Sequence, residues 1–209
     1  MTVPFQPIVS ELSPLTPGGD NAPLDHWKDG TFDCCKFGCC HPSFLNACCC
    51  PQLLLAQVMM RLKMNLFADP APEDEYKVTF RRMVILVICY WIVASIFAPQ
   101  SSGFEVNDDG TMTAIPADSP IWQRLIYHTL TTLFSLYFLV ILIKVRAAVR
   151  RRYAIPEQRC HGMEDCCCAF FCSCCTVAQV ARQTADYDER RAVCCSENGL
   201  PAMAPAIIV

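Results

Sequence analysis

Two runs without a single Lys, Arg, Asp or Glu interrupt the polar texture of this chain: Met83 to Ala98 (MVILVICYWIVASIFA) and Leu125 to Ile143 (LIYHTLTTLFSLYFLVILI). A helix satisfies its own backbone hydrogen bonds, so apolar runs of this length are predicted to span a membrane as helices. The length and purity of the second run argue against a pair of buried helices in a soluble core. The first run is short, since its 16 residues reach about 24 Å against a hydrocarbon core roughly 30 Å thick. Phe80 extends it, and Arg81 and Arg82 snorkel to the headgroups. Weaker amphipathic patterns flank the runs. After Pro51, which suits a first helical turn, Leu54, Leu55, Val58, Met59 and Leu62 form a stripe opposite Gln57, Arg61 and Lys63. That pattern predicts a helix lying on the membrane surface. A second helix is predicted from Thr176 to about Val193, with Val177, Val180 and Ala181 inward and a charged end from Asp186 to Arg191.

Charge sets the orientation. Arg61, Lys63, Lys77, Arg81 and Arg82 precede the first run, and Lys144, Arg146, Arg150, Arg151 and Arg152 follow the second. The connector from Pro99 to Pro120 has no Lys or Arg and carries Glu105, Asp108, Asp109 and Asp118. The positive-inside rule then gives a helical hairpin with both termini in the cytosol and the connector outside, most simply in the plasma membrane. Asn107-Asp108-Asp109-Gly110 reads as a tight turn closing a small β-hairpin between Phe104 and Ile115, and lacks the ligand spacing of a calcium loop. The basic run Lys144 to Arg152 marks topology and would attract anionic lipid. His128 is expected to face the headgroups near the start of its span, and Thr129, Thr131, Thr132 and Ser135 to serve helix contacts.

The fold class expected is therefore mainly α: a two-span transmembrane hairpin flanked by cytosolic Cys-rich segments leading into amphipathic helices. Its parts are a flexible Pro-rich arm (1–26), a first Cys-rich segment and surface helix (27–64), a linker (65–82), the first span (83–98), an outer loop (99–120), the second span (121–143), a basic juxtamembrane segment (144–159), a second Cys-rich segment and helix (160–195) and a tail (196–209). No stretch of residues 1 to 33 offers the continuous apolar core of a signal sequence.

Composition changes the picture at one residue type. The net charge of -3 says little, but 17 cysteines in 209 residues invite comparison with a disulfide scaffold. Topology argues otherwise: only Cys89 lies in a span, and the other sixteen fall on the cytosolic ends. Cytosolic thiols are kept reduced, so a disulfide framework is the poorest of the explanations. Metal binding, S-acylation and burial as small side chains remain. Thiolates are soft ligands for Zn2+, Cd2+ or Cu(I), and the spacing of Cys172 and Cys175 lets both sulfurs face one ion. Cys167 adds a third donor, and Cys166, His161 or the first cluster a fourth. The candidate metal ligands are Cys48, Cys49, Cys50, Cys166, Cys167, Cys172 and Cys175. Cysteines beside amphipathic segments are equally suited to palmitoylation.

The two clusters resemble one another. Cys50 is followed by Ala56-Gln57-Val58 and Cys172 by Ala178-Gln179-Val180 at the same spacing, with Arg61 and Arg182 soon after. Two related Cys-to-helix units, one on each side of the hairpin, are predicted.

The stretch Trp27-Lys28-Asp29-Gly30-Thr31-Phe32-Asp33-Cys34, then Cys39-Cys40 and Cys49-Cys50-Pro51, resembles the opening half of the placenta-specific 8 (cysteine-rich) family. Asp165-Cys166-Cys167-x-x-Phe170-Phe171-Cys172-x-x-Cys175-x-x-x-Gln179-x-x-Arg182 resembles its closing half. Family members commonly carry Cys-Pro-Cys where this chain has Cys50-Pro51-Gln52, and their middle region is shorter. The resemblance implies a membrane protein. The family includes plant cadmium-resistance proteins that move or exclude divalent metals, and fruit-weight regulators that restrain cell number.

No Gly-rich phosphate loop ending in Gly-Lys-Ser/Thr, no paired carboxylates and no Cys-His arrangement for catalysis is found, so an enzyme is not expected. Nothing points to nucleic acid. The expected partners are membrane lipids, divalent ions such as zinc or cadmium, and further copies of the chain, because two spans cannot alone enclose a conduction path. The alternative function is a non-transporting, S-acylated scaffold or regulator of growth or signalling.

Overall fold

The computed structural model describes residues 23–33, 36, 38, 40–99, 103–106, 110–115, 119–158, 162–187, 192–194 and 196–201. Seven helices and one two-stranded hairpin are formed among them: α1 (Pro42–Cys49), α2 (Pro51–Arg61), α3 (Glu73–Tyr76), α4 (Thr79–Phe97), β1 (Gly103–Val106), β2 (Met112–Ile115), α5 (Ile121–Arg152), α6 (Glu164–Phe171) and α7 (Ser173–Gln183). Most of the predicted N-terminal arm, Cys34, Cys35, Cys39, Cys160, His161, Cys195, the turn residues Asn107 to Asp109, the end of the predicted charged segment (188–191) and most of the tail lie outside the described residues.

Helices α4 and α5 are the two long apolar ones, each long and apolar enough to cross a membrane. The first is longer than the apolar run alone, because Thr79 and Phe80 already belong to it. Its 19 residues reach about 28 Å, which removes most of the shortfall. The pair is joined by Tyr90 of α4 stacked on Phe134 of α5, with ring centroids 3.9 Å apart. Elsewhere both helices present a belt of exposed apolar side chains, Ile85, Trp91 and Ile96 on one and Trp122, Leu133 and Val140 on the other. That belt stops abruptly: from Ile141 onward Leu142, Val145, Arg146 and Val149 of α5 are buried. At the far end β1 and β2 pair antiparallel, Phe104 opposite Ala114 and Val106 opposite Met112, as the turn signal predicted. Gly110, with φ +82°, supplies a backbone conformation that other residues adopt at a cost.

At the end where α5 is buried, the two Cys-to-helix units come together. Helices α1 and α6 have eight residues each, α2 and α7 eleven. Both pairs bend by 118° at a single residue. That residue is Cys50 in one unit and Cys172 in the other, with φ/ψ of −141°/61° and −146°/71°. The sequence repeat is thus a structural repeat, and α2 and α7 pack against each other, α2 also on α4 and α7 on α5.

Three expectations are corrected. Helix α2 is not a surface helix: Leu54 to Met59 are buried without interruption, and the supposed polar face, Gln57 and Arg61, is buried too. It is a core helix whose polar side chains bond to protein groups rather than water. The helix after Cys172 ends at Gln183, not near Val193. As far as Arg152 the basic juxtamembrane segment is the continuation of α5, and its charges are largely engaged within the protein. Arg146 and Arg150 pair with Asp165, and Lys144 with Asp69.

Candidate metal centre

Buried polar side chains tie the two units into one body. Gln57 donates from Nε2 to the carbonyls of Val193, Cys194 and Ser196. Its counterpart Gln179 donates to the Asp29 carbonyl at 3.0 Å and accepts from Thr31 and Arg146. Each glutamine therefore holds a loop from the opposite end of the chain. The arginines do the same: Arg61 donates to the Asn198 carbonyl and to Tyr187, and Arg182 donates to Asp29 at 3.1 Å. Deep burial of such groups is tolerated because each is satisfied by a partner.

Arg146 is the central member of this network. It is 1 % exposed, pairs with Asp165 at 3.1 Å, and lies under the Trp27 ring at 4.4 Å. One side chain of the second apolar helix thus reaches α6, α7 and the Trp27 segment. Arg150 holds Asp165 from one turn further along, and also Glu157. Asp165 lies in the first turn of α6, the helix that leads to the Cys172 elbow, so the elbow is fixed relative to α5.

At that elbow the chain bends by 118°, and Thr176 in the first turn of α7 donates back to the Cys168 carbonyl of α6 at 2.8 Å. Cys172 occupies the N-cap, and Cys174 and Cys175 follow in the first turn, with no side-chain cap on the helix. The ligand atoms of Cys172, Cys174 and Cys175 all lie within 4.8 Å of one another. Cys174 Sγ is 3.9 Å from Cys172 Sγ and 4.0 Å from Cys175 Sγ. Cys172 and Cys174 are partly exposed, while Cys175 is buried. Three soft donors, two of them with access from solvent, fit a thiophilic divalent ion or Cu(I), and the first-turn N–H groups favour the negative charge that thiolates carry.

In one respect the thiols depart from expectation: Cys172 and Cys175 are joined as a disulfide, with Cα atoms 5.4 Å apart. The bridge spans a single turn and connects no distant segments, so it is not the framework bond that a scaffold would need. Two of the three sulfurs are ligands only when that bond is reduced.

Of the seven candidate ligands, the structure brings together Cys172 and Cys175. Cys166 is exposed and Cys167 partly so, both on α6. Cys48, Cys49 and Cys50 are exposed at the first elbow. None of these five belongs to a three-donor group among the described residues. Spacing alone does not single out Cys174, because adjacent cysteines in a regular helix diverge. A helix start is different: an N-cap side chain folds back over the first turn, toward its neighbours at the second and third positions. The first elbow has the same backbone, but from its N-cap to the third helical position it carries only one sulfur, that of Cys50, since Pro51, Gln52 and Leu53 stand where the second has Ser173, Cys174 and Cys175.

Comparison with known proteins agrees with the motifs. The model of the PLAC8 family matches residues 27–183, most of the chain. No curated protein and no solved structure matches the sequence.

Proposed function

The chain belongs to the PLAC8 family, and from that membership and the three-sulfur cluster we propose that it is an integral membrane protein that binds soft divalent metal ions and contributes to their transport or tolerance. The observation that carries the reading is the convergence of Cys172, Cys174 and Cys175 within 4.8 Å. Cadmium or zinc is the cargo, held by these thiolates in their reduced state. The positive charge flanking α4 and α5 puts this end of the molecule in the cytosol and the β-hairpin outside. The exposed belt supports that depth: from Ile121 to Val140 it covers about 28 Å of α5, close to the hydrocarbon thickness of a bilayer. Two helices enclose no path, so movement of an ion across the membrane requires several copies around a shared axis. The cytosolic site then loads or sequesters the ion, and Arg146 holds it in a fixed relation to α5. Catalysis is no part of this reading.

A second reading is favoured by one observation, the exposure of Cys48, Cys49 and Cys50 on the outside of the first elbow. Exposed thiols beside apolar surface suit S-acylation, and the chain then acts as a membrane-anchored scaffold in growth control or signalling.

Expression in metal-sensitive cells separates the two. Wild type is expected to change cell-associated cadmium and tolerance relative to empty cells, and a variant with Ser at Cys172, Cys174 and Cys175 to lose that effect. Equal metal content and tolerance in all three would overturn the metal reading, and fatty acyl adducts on Cys48, Cys49 or Cys50, read by mass spectrometry of the purified protein, would then favour the acylated scaffold.

A further inference from the structure

The two elbows share a backbone but not a chemistry, and the difference is a C-x-x-C pair. We propose that Cys172 and Cys175 are a redox-active dithiol, which exchanges disulfides with glutathione-type thiols and which, on oxidation, withdraws two of the three sulfur donors from a metal ion. Only the last clause rests on the metal reading.

Four observations carry the pair. Cys172 and Cys175 occupy the N-cap and third position of an 11-residue helix, and the structure joins them as a disulfide. The fold thus accommodates the oxidised pair. Their exposures differ as attack and resolution require, with Cys172 partly exposed and Cys175 buried. The helix start has no side-chain cap, so its first N–H groups are available to a thiolate at Cys172. Finally, Leu53 takes the place of Cys175 in the first unit, so the elbow itself does not demand a sulfur at the third position.

The chemistry closes with glutathione disulfide as oxidant. The Cys172 thiolate attacks one sulfur of glutathione disulfide, forming a mixed disulfide and expelling one glutathione thiolate. The Cys175 thiolate then attacks Cys172 Sγ, breaking the mixed bond and expelling the second. Two electrons pass from the cysteines to the oxidant, and the two protons lost by the thiols are taken up by the two glutathione thiolates. Glutathione in excess reverses both steps. Cys174, about 4 Å from both sulfurs, is a bystander to this couple.

The test uses the full-length, metal-free protein in detergent micelles, equilibrated over a series of glutathione to glutathione disulfide ratios. Free thiols are alkylated, and the peptide spanning residues 172 to 175 is read by mass spectrometry. Wild type is expected to show reversible closure of Cys172 with Cys175. Cys175→Ser is expected to stop at a mixed disulfide on Cys172, Cys172→Ser to form neither species, and Cys174→Ser to close as wild type does. A pair that stays reduced at every ratio would overturn the proposal, as would mixed disulfides spread evenly over the exposed cysteines. Repeating the titration with cadmium present should shift closure to more oxidising ratios. Closure that cadmium leaves unmoved supports the redox pair and counts against the metal site alone.

Discussion

Arg146 shows how far a side chain's role can lie from its sequence signal. In the sequence it is one of five positive charges after an apolar run, read as a topology mark and a lipid attractor. In the fold it is almost wholly enclosed, because α5 continues past the belt into the cysteine-bearing unit and carries the charge inside with it. The pairing residue, Asp165, lies in the closing cysteine motif, where nothing local announces a partner nineteen residues away. Gln57 misleads for the same reason: a polar residue opposite an apolar stripe reads as solvent-facing, unless a distant loop supplies carbonyls to it. A buried ion pair is costly to break from one side, since the remaining carboxylate stays enclosed. Arg146→Met is therefore expected to lower stability by about 3–5 kcal/mol, measured as thermal unfolding in detergent. An exposed control, Arg151→Met, should move it little, and equal shifts in the two variants would show that the network carries no special weight.

At the scale of elements, the sequence carried more. The two apolar helices, the small β-hairpin and the repeated Cys-to-helix unit are all legible, because each depends on periodicity or turn chemistry within a few residues. The relation between the units is not, since α2 and α7 bury each other through contacts that no local pattern encodes. Nor is Cys174, whose approach to Cys172 depends on the 118° bend. Helix α1 also has a pH-sensitive start. His41 is its N-cap, and its Nδ1 accepts from the Ser43 N–H, a role for the neutral ring. Burial holds its pKa below the ordinary 6.5. The unfolded chain therefore binds the proton more readily than the folded one. The cap's contribution is whole above the ordinary value and is lost as pH falls through the depressed one. Amide exchange in Pro42–Cys49, corrected for intrinsic rates, is expected to lose protection as pH falls below the ordinary histidine value of 6.5 and through the depressed one. His41→Asn, which caps without titrating, should keep it. Identical pH dependence in both would sink this account of the cap.

For the whole molecule, two Cys-to-helix units flank a hairpin of apolar helices and close on each other at its base. Each unit's core helix holds the opposite end of the chain: Gln57 and Arg61 the segment after Val193, Gln179 and Arg182 the segment before Thr31. The family match, residues 27–183, takes in the segment held by Gln179 and Arg182 and stops short of the one held by Gln57 and Arg61. This exchange keeps the second elbow in place while leaving Cys172 and Cys174 open to solvent. In the function proposed, this elbow, and not the cysteines at large, holds the metal ion. The most direct test is a cadmium titration of the fully reduced, purified chain, followed by thiolate-to-metal charge-transfer absorbance and compared with a variant carrying Ser at Cys172, Cys174 and Cys175. Loss of the tightest binding step in the variant, with weaker steps retained, is the result predicted; an unchanged tightest step would contradict it.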